Sequence, residues 1–308
     1  MLDLRQLEAL AAVHAEGSVT GAARALQWSQ PTVDYHLKNL ERAIGSAVLQ
    51  RSPRGSVLTP VGMLLLERGN EILTLRDRAL RDARELAEIG RVSIRFGMFP
   101  TAAAKLLPAV VEHLDQLGIG IDVALEEMPV LVDRVNRAEL DTALVYTVPG
   151  YELPLRPRIV TTDVHPDPLL LALPVGHRLA GRTSLDVPTL LTLSDERWVF
   201  GTAVDDPMDI VVVDTFAAAG RSLDVAYRTD DFQVMLAMIA AGMGIGLVPS
   251  LVTTHAHPGL VLLPIGAPSF SRTLQLASVT EGPSATPSTA VRHLAAALRG
   301  ASAALRMA

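Results

Sequence analysis

Between residues 29 and 54 the chain gathers side chains suited to hydrogen bonding with base edges and phosphates. They are Ser29, Gln30, Pro31, Thr32, Asp34, Tyr35, Lys38 and Asn39, followed by Arg51 and Arg54. A glutamine amide carries a donor and an acceptor at the spacing of an adenine edge and can pair with it bidentately. A serine at the start of a helix sits beside backbone N–H groups without intrahelical partners, a setting that suits a phosphate. Arg51 and Arg54 suit backbone or minor-groove contacts. The competing reading is a solvated helix face and an ordinary loop. A second candidate lies at Pro100-Thr101, which follows a strand-like run and begins a helical one. There the Thr101 hydroxyl would stand beside free backbone N–H groups, an arrangement that favours a carboxylate or other anion.

Other chemistries find little support. Gly242-Met243-Gly244-Ile245-Gly246 looks superficially like a dinucleotide loop, but it follows a helix and precedes a strand, the reverse of what that motif needs. His255-Ala256-His257 has no acidic residue at ligand spacing, so no metal site is expected. There is no Gly-x-Ser-x-Gly and no P-loop, and no cofactor is expected. The absence of cysteine excludes disulfides, Cys-ligated zinc and Cys nucleophiles. Met1-Leu2-Asp3-Leu4-Arg5 lacks the basic start and apolar run of a signal peptide, and no apolar stretch reaches membrane-spanning length. A soluble cytoplasmic protein is expected.

The net charge of −6 argues at first against nucleic acid. Its distribution matters more: residues 1–60 hold six Lys/Arg and five Asp/Glu, a net of +1. Lys38, Arg42, Arg51 and Arg54 lie close enough in sequence for one face to collect them.

These residues need elements to hold them. Leu4, Leu7, Leu10 and Ala11 have helical spacing, with Gly17 as the stop. Ser18 can cap a second helix to about Leu26, and Ser29 a third, with Pro31 tolerated in its first turn. Val33, Leu37, Leu40 and Ile44 then form one apolar stripe ended by Gly45, and Trp28 belongs to the core of the turn. Residues 48–51 and 56–59 flank Ser52-Pro53-Arg54-Gly55 as a strand, turn, strand signal. In residues 60–89 apolar pairs recur every seven positions (Leu65/Leu66, Ile72/Leu73, Ala79/Leu80, Leu86/Ala87), predicting a long helix with a dimerising seam. The alternative is an amphipathic helix packed on its own domain. Residues 91–308 alternate strand-like and helix-like runs, predicting an α/β domain with mostly parallel sheets. Thr147–Pro157, rich in Pro and Gly, is the expected crossover between two subdomains.

The run Gly17-Ser18-Val19-Thr20-Gly21-Ala22-Ala23-Arg24-Ala25-Leu26, then Ser29-Gln30-Pro31-Thr32-Val33 and Leu40-Glu41, resembles the winged helix-turn-helix of LysR-type transcriptional regulators. Leu58-Thr59-Pro60-Val61-Gly62 resembles the start of that family's linker helix. Two weaker matches follow in the expected order, at Glu139–Val145 and Ala241–Pro249. The resemblance spans essentially the whole chain.

It implies a winged helix-turn-helix (1–59), a linker helix (60–90) and an effector-binding domain (91–308) built like a two-subdomain periplasmic binding protein. Subdomain I would hold about 91–160 and 266–308, and subdomain II about 161–265. It implies a homodimer or homotetramer on double-stranded DNA with an inverted-repeat operator, a small-molecule effector (anionic on the Thr101 reading above), and RNA polymerase as a candidate partner. Met128, Pro129, Tyr146, Thr147, Phe200, Gly201, Thr202, Thr229 and Asp230 would then line the cleft with Pro100 and Thr101. One departure is Asp34, where the family often has a small polar residue. It could accept a hydrogen bond from cytosine at some cost in affinity, or serve as a cap or intradomain ion pair. A solute-binding protein or an enzyme on a related fold is the alternative to a regulator.

Overall fold

The computed structural model describes residues 2–52, 55–89, 93–204, 206–252, 258–280 and 286–305. The chain forms two compact units, Met1–Ser93 with Arg137–Glu139, and Ile94–Asn136 with Leu140–Ala308.

The first unit begins with α1 (Leu4–Glu16), α2 (Val19–Ala25) and α3 (Gln30–Ile44). Each starts on a side-chain cap. Asp3 and Gln6 close a capping box on α1, Ser18 Oγ accepts from Gly21 N at 3.0 Å, and Ser29 Oγ accepts from Thr32 N at 3.3 Å. Gly17 ends α1 at φ +66°, a conformation that costs any residue with a Cβ. The hairpin β1 (Leu49–Ser52) and β2 (Gly55–Leu58) leads into α4 (Pro60–Ile89). Leu10, Val13, Val33, Leu37 and Leu40 form the core with Val48. Ile44, expected on the same stripe, is exposed, because the last turn of α3 runs past the core. Gly62 is forced by packing: a Cβ there would lie 2.1 Å from the Val48 carbonyl oxygen. The first half of α4 packs on α1 through Leu66 and Gly69, and Arg76 pairs with Glu8. Further along, Leu75 (63 %) and Leu80 (51 %) are exposed in the single chain.

The second unit comprises β3 (Ser93–Met98), α5 (Pro100–Gln116), β4 (Gly120–Leu125), α6 (Met128–Asn136), β5 (Thr142–Thr147), β6 (Ile159–Pro174), α7 (Val187–Leu191), β7 (Arg197–Phe200), α8 (Pro207–Ala218), β8 (Asp224–Arg228), α9 (Phe232–Ala240), β9 (Gly246–Pro249), β10 (Leu260–Pro264), β11 (Ser271–Val279) and α10 (Thr289–Leu305). The strand order β10-β6-β11-β5-β3-β4, with β9 also on β6, contains two lobes sharing one strand. Ile159 to Pro168 of β6 pair with β11, and Leu169 to Pro174 pair with β9 and β10. In the second lobe β7 runs parallel to β8.

Two expectations need correction. The sheets are mixed rather than mostly parallel: β11 is antiparallel to β5 and β6, and β9 and β10 are antiparallel to β6. β10 and β11 have no helix between them, so they return beside β6 instead of crossing over. The passage between lobes is not at Thr147–Pro157, since β5 and β6 are both in the β11 sheet. That segment is a loop held to its own lobe by the Asn136 Nδ2–Pro154 O bond of 2.8 Å. The chain changes sheet inside β6 at Pro168/Leu169, beside two prolines that cannot donate to a ladder, and returns through residues 265–270.

Candidate functional site

The outer face of α3 is set by its inner one. Val33, His36, Leu37 and Leu40 are buried, so the roughly 100° step per residue turns Pro31, Tyr35, Lys38 and Arg42 outward. Tyr35 is 61 % exposed. Gln30 and Asn39 flank this face with their amides engaged: Thr20 Oγ1 donates to Gln30 Oε1 at 3.3 Å, and Arg42 Nη1 donates to Asn39 Oδ1 at 3.0 Å. Ser29 and Thr32 share a 2.7 Å hydroxyl contact at the helix start. Asp34 is half-buried and has an intramolecular partner. Trp28 is half-buried against the core, its ring 5.2 Å from that of His36. Arg51 lies on β1; its side chain and the whole of Arg54 fall outside the described residues, as do His255 and His257. Thr20 was missed as a member of this surface, whereas Arg42 lies on the face expected to collect it with Lys38.

In the second unit, Pro100, Thr101, Tyr146, Gly201, Thr229 and Asp230 line one inner cavity of about 70 Å³. It shares Thr101 with a neighbouring space of about 550 Å³, and Asp206 with a third of about 330 Å³ lined by Met128 and Pro129. Three expected residues point elsewhere. Phe200 is buried against Trp198, with ring centroids 5.9 Å apart, because alternation on β7 turns it into the core. Thr147 donates its hydroxyl to Tyr151 O, within its own loop. Thr202 donates from N and Oγ1 to the Asp230 carboxylate, so it holds the wall without lining the cavity. Thr101 is the second residue of α5, behind Pro100 and an N-cap Phe99 that makes no side-chain cap bond.

Sequence reasoning named Asp230 but missed the other three acids of this site. Glu127, Asp206 and Asp209 line the inner cavity with Asp230. Burial raises the Glu127 carboxyl, with the charges of Asp230 and Asp206 adding to it. Burial also raises Asp206, against its hydrogen bonds from Met208 N and Tyr146. Asp209 is pushed up to about 7 by burial and then by the charge of Asp206. Tyr146 Oη donates to Asp206 Oδ2 at 2.9 Å, bridging the lobes, and burial pushes its phenol well above the ordinary range. The expectation of an anion at Thr101 therefore meets a wall of carboxylates. One clue was legible: Asp206-Pro207 is a helix-start pair, which places acids at the head of α8.

Arg272 also reaches the cavity wall, where it is paired with Asp167. It is 1 % exposed; Nε donates to Asp167 Oδ2 at 2.9 Å, and Nη2 lies 2.8 Å from the same oxygen without hydrogen-bond alignment. Its guanidinium sits over the Phe99 and Tyr146 rings, at 5.1 and 4.7 Å. Asp167 in turn accepts from Ser250 Oγ and Leu251 N at 2.7 and 3.1 Å. Among the described residues no cluster of His, Asp and Glu could hold a metal ion, and no helix is long and apolar enough to cross a membrane.

Comparison with known proteins follows the same two regions. Residues 4–63 match the family model described as bacterial regulatory helix-turn-helix protein, lysR family, and residues 90–303 match the LysR substrate binding domain. The HTH-type transcriptional regulator TdfR of Cupriavidus pinatubonensis is 30 % identical over 284 residues, 91 % of this chain and 90 % of that protein. The DNA-binding transcriptional dual regulator OxyR of Escherichia coli is 26 % identical over 288 residues, covering 89 % and 88 %. Among solved structures, full-length CbnR complexed with target DNA has a TM-score of 0.63 at 21 % identity, over 97 % of this chain and all of that one. HinK of Pseudomonas aeruginosa has a TM-score of 0.56 at 24 % identity, over 99 % and 100 %.

Proposed function

The chain belongs to the LysR family of transcriptional regulators, and we propose that α3 and the β1–β2 hairpin read its operator while the cleft between the two lobes takes the effector. It is a DNA-binding regulator with an effector-binding domain. Its relatives are named as regulators rather than enzymes, and the ligand is sensed rather than turned over. The domains are a reading head of residues 1–59, a linker helix of 60–90 and an effector domain of 91–308. Two copies join along α4, whose exposed Leu75 and Leu80 need a partner surface. Twofold symmetry then matches an inverted-repeat operator in the cytoplasm.

One observation carries the reading role: α3 buries Val33, Leu37 and Leu40 and turns Gln30, Tyr35, Lys38 and Arg42 outward, inside the stretch that matches the helix-turn-helix model. Ser29, Pro31, Thr32, Asp34 and Asn39 complete the surface, with Arg51 and Arg54 on the hairpin. The effector residues are Pro100, Thr101, Met128, Pro129, Tyr146, Gly201, Thr229 and Asp230, to which the cavity walls add Glu127, Asp206 and Asp209. A ligand shifts DNA affinity only by binding two arrangements of the protein unequally.

The test is a salt titration of the full-length protein on duplex from its own upstream region, beside a scrambled duplex. Specific binding should weaken steeply with salt, each phosphate contact contributing about 0.9 to the log–log slope. Lys38→Ala should lower that slope by about 1 on both duplexes. Equal salt-independent retention of both duplexes would remove the reading role.

A further inference from the structure

The cleft is divided into chambers of opposite character. The chamber of about 330 Å³ has mostly apolar walls, among them Met128, Val132, Leu153, Pro154 and Pro207. Its Asn136 amide is already used, accepting from Arg156 N at 2.9 Å and donating to Pro154 O at 2.8 Å. A chamber of this size and lining suits a small organic body, with few polar groups to fix its orientation. Asp206 lies in its wall and also in the wall of the inner chamber of about 70 Å³. That inner space equals roughly two water molecules at about 30 Å³ each, enough for one small polar head group.

The charge of the inner chamber decides which head group. Glu127 comes from the first lobe, and Asp206, Asp209 and Asp230 from the second. The cations nearby are committed or peripheral. Arg272 is paired with Asp167, Arg228 approaches Asp209 while donating to Gly201 O, and Lys105 lines the outer 550 Å³ space. A carboxylate head would add a further negative charge beside Glu127, Asp206, Asp209 and Asp230 in a half-buried site, which is unfavourable without a free cation.

We propose that the effector of this regulator is an organic amine with an apolar body, its ammonium held by the inner carboxylates and its body in the Met128–Leu153–Pro207 chamber. The assignment rests on the effector reading above and replaces the anion expected from Thr101. An ammonium donates to carboxylates contributed by both lobes and so favours the closed cleft over an open one. The upward push on Glu127, Asp206 and Asp209 fits a site lacking the counter-charge that such a ligand supplies.

The experiment uses the full-length protein and three isosteric probes: phenethylamine, 2-phenylethanol and phenylacetate. Thermal unfolding and calorimetric titration give the order of binding. Phenethylamine should raise the Tm and bind at least tenfold more tightly than the alcohol, with phenylacetate giving no shift. Asp209→Asn should weaken the amine at least tenfold. Ala203→Trp, which fills the apolar chamber from its half-exposed rim, should do the same while every carboxylate of the inner chamber is kept in the sequence. Phenylacetate binding as tightly as the amine, or no shift with any amine, overturns the assignment. A parallel arm separates that failure from failure of the effector reading. If a small-molecule filtrate of cell extract alters operator affinity of the wild type but not of Ala203→Trp, while no amine binds, the effector reading stands and the charge assignment falls. If no amine binds and the filtrate alters neither protein, both fall.

Discussion

The reading surface of α3 and the effector cavity use polar side chains over different lengths of chain. On the reading surface the bonds close locally: Arg42 to Asn39 spans 3 residues and Thr20 to Gln30 spans 10, and their atoms are exposed. In the effector unit Tyr146 reaches Asp206 across 60 residues, and Arg272 reaches Asp167 across 105, with both partners of the latter pair buried. Exposed pairs contribute little to stability and remain available to a ligand. Buried pairs cannot be broken singly without leaving a charge in the interior. The first region is therefore built to be read from outside, and the second to hold its shape at the point where β6 changes sheet.

The largest test of this contrast is Asp167→Ala. It should destabilise the effector unit by about 3–5 kcal/mol, because Arg272 is left buried and unpaired. Denaturant unfolding followed by the buried Trp198 would measure it. Replacing both partners, Asp167→Leu with Arg272→Met, should recover much of the loss. A single substitution costing under about 1 kcal/mol would mean that the pair does not hold the lobes.

In the reading unit the comparable stability comes from apolar packing. Leu37→Ala should cost about 2–5 kcal/mol, with loss of operator binding at temperatures where the effector unit remains folded. Circular dichroism melts beside the Trp198 signal, in a Trp28→Phe background, would separate the two transitions. Melting of both units together would show them to be more strongly coupled than their separate cores suggest.

A third test concerns the cleft acids. Burial and the charge of Asp206 keep a proton on Asp209 up to about pH 7, whereas in the unfolded chain it leaves near pH 4. The folded chain binds more protons over that interval. Asp209 therefore contributes stability that is fully present below about pH 4 and is lost as the pH rises through about 7. The effector unit should lose on the order of 2 kcal/mol between pH 5 and pH 8, and Asp209→Asn should flatten the profile. A wild-type profile as flat as that of the variant would place the Asp209 carboxyl in an ordinary setting.

The smallest expected effect is at the cap of α3. Ser29→Ala removes the bond to Thr32 N and should cost about 1 kcal/mol. If Ser29 also faces phosphate, operator affinity will fall by more than the stability loss explains.

Much of the first unit was legible in residue order. Ser18 and Ser29 mark helix starts and Gly17 and Gly45 mark stops, because a cap and its partner lie within one turn. The helix of residues 60–89 followed from its repeat. In the second unit the alternation of strand-like and helix-like runs was legible, but the sheet was read as mostly parallel. A strand such as β11 is defined by what it pairs with, and Ser271–Val279 pairs with two segments more than 100 positions upstream.

The same division holds for the site. Residue order alone determined that α3 would carry Gln30, Tyr35 and Lys38 away from a Val33–Leu37–Leu40 core, since a helix converts spacing directly into direction. It also determined that the β3–α5 junction would stand at a pocket. Only the tertiary structure decided the sign of that pocket. Glu127, Asp206, Asp209 and Asp230 come from separate segments of two lobes, and Arg272 is silenced by a partner at the turning point of β6. Electrostatic energy depends on distance through space, and the order of residues does not encode that distance until the lobes have folded.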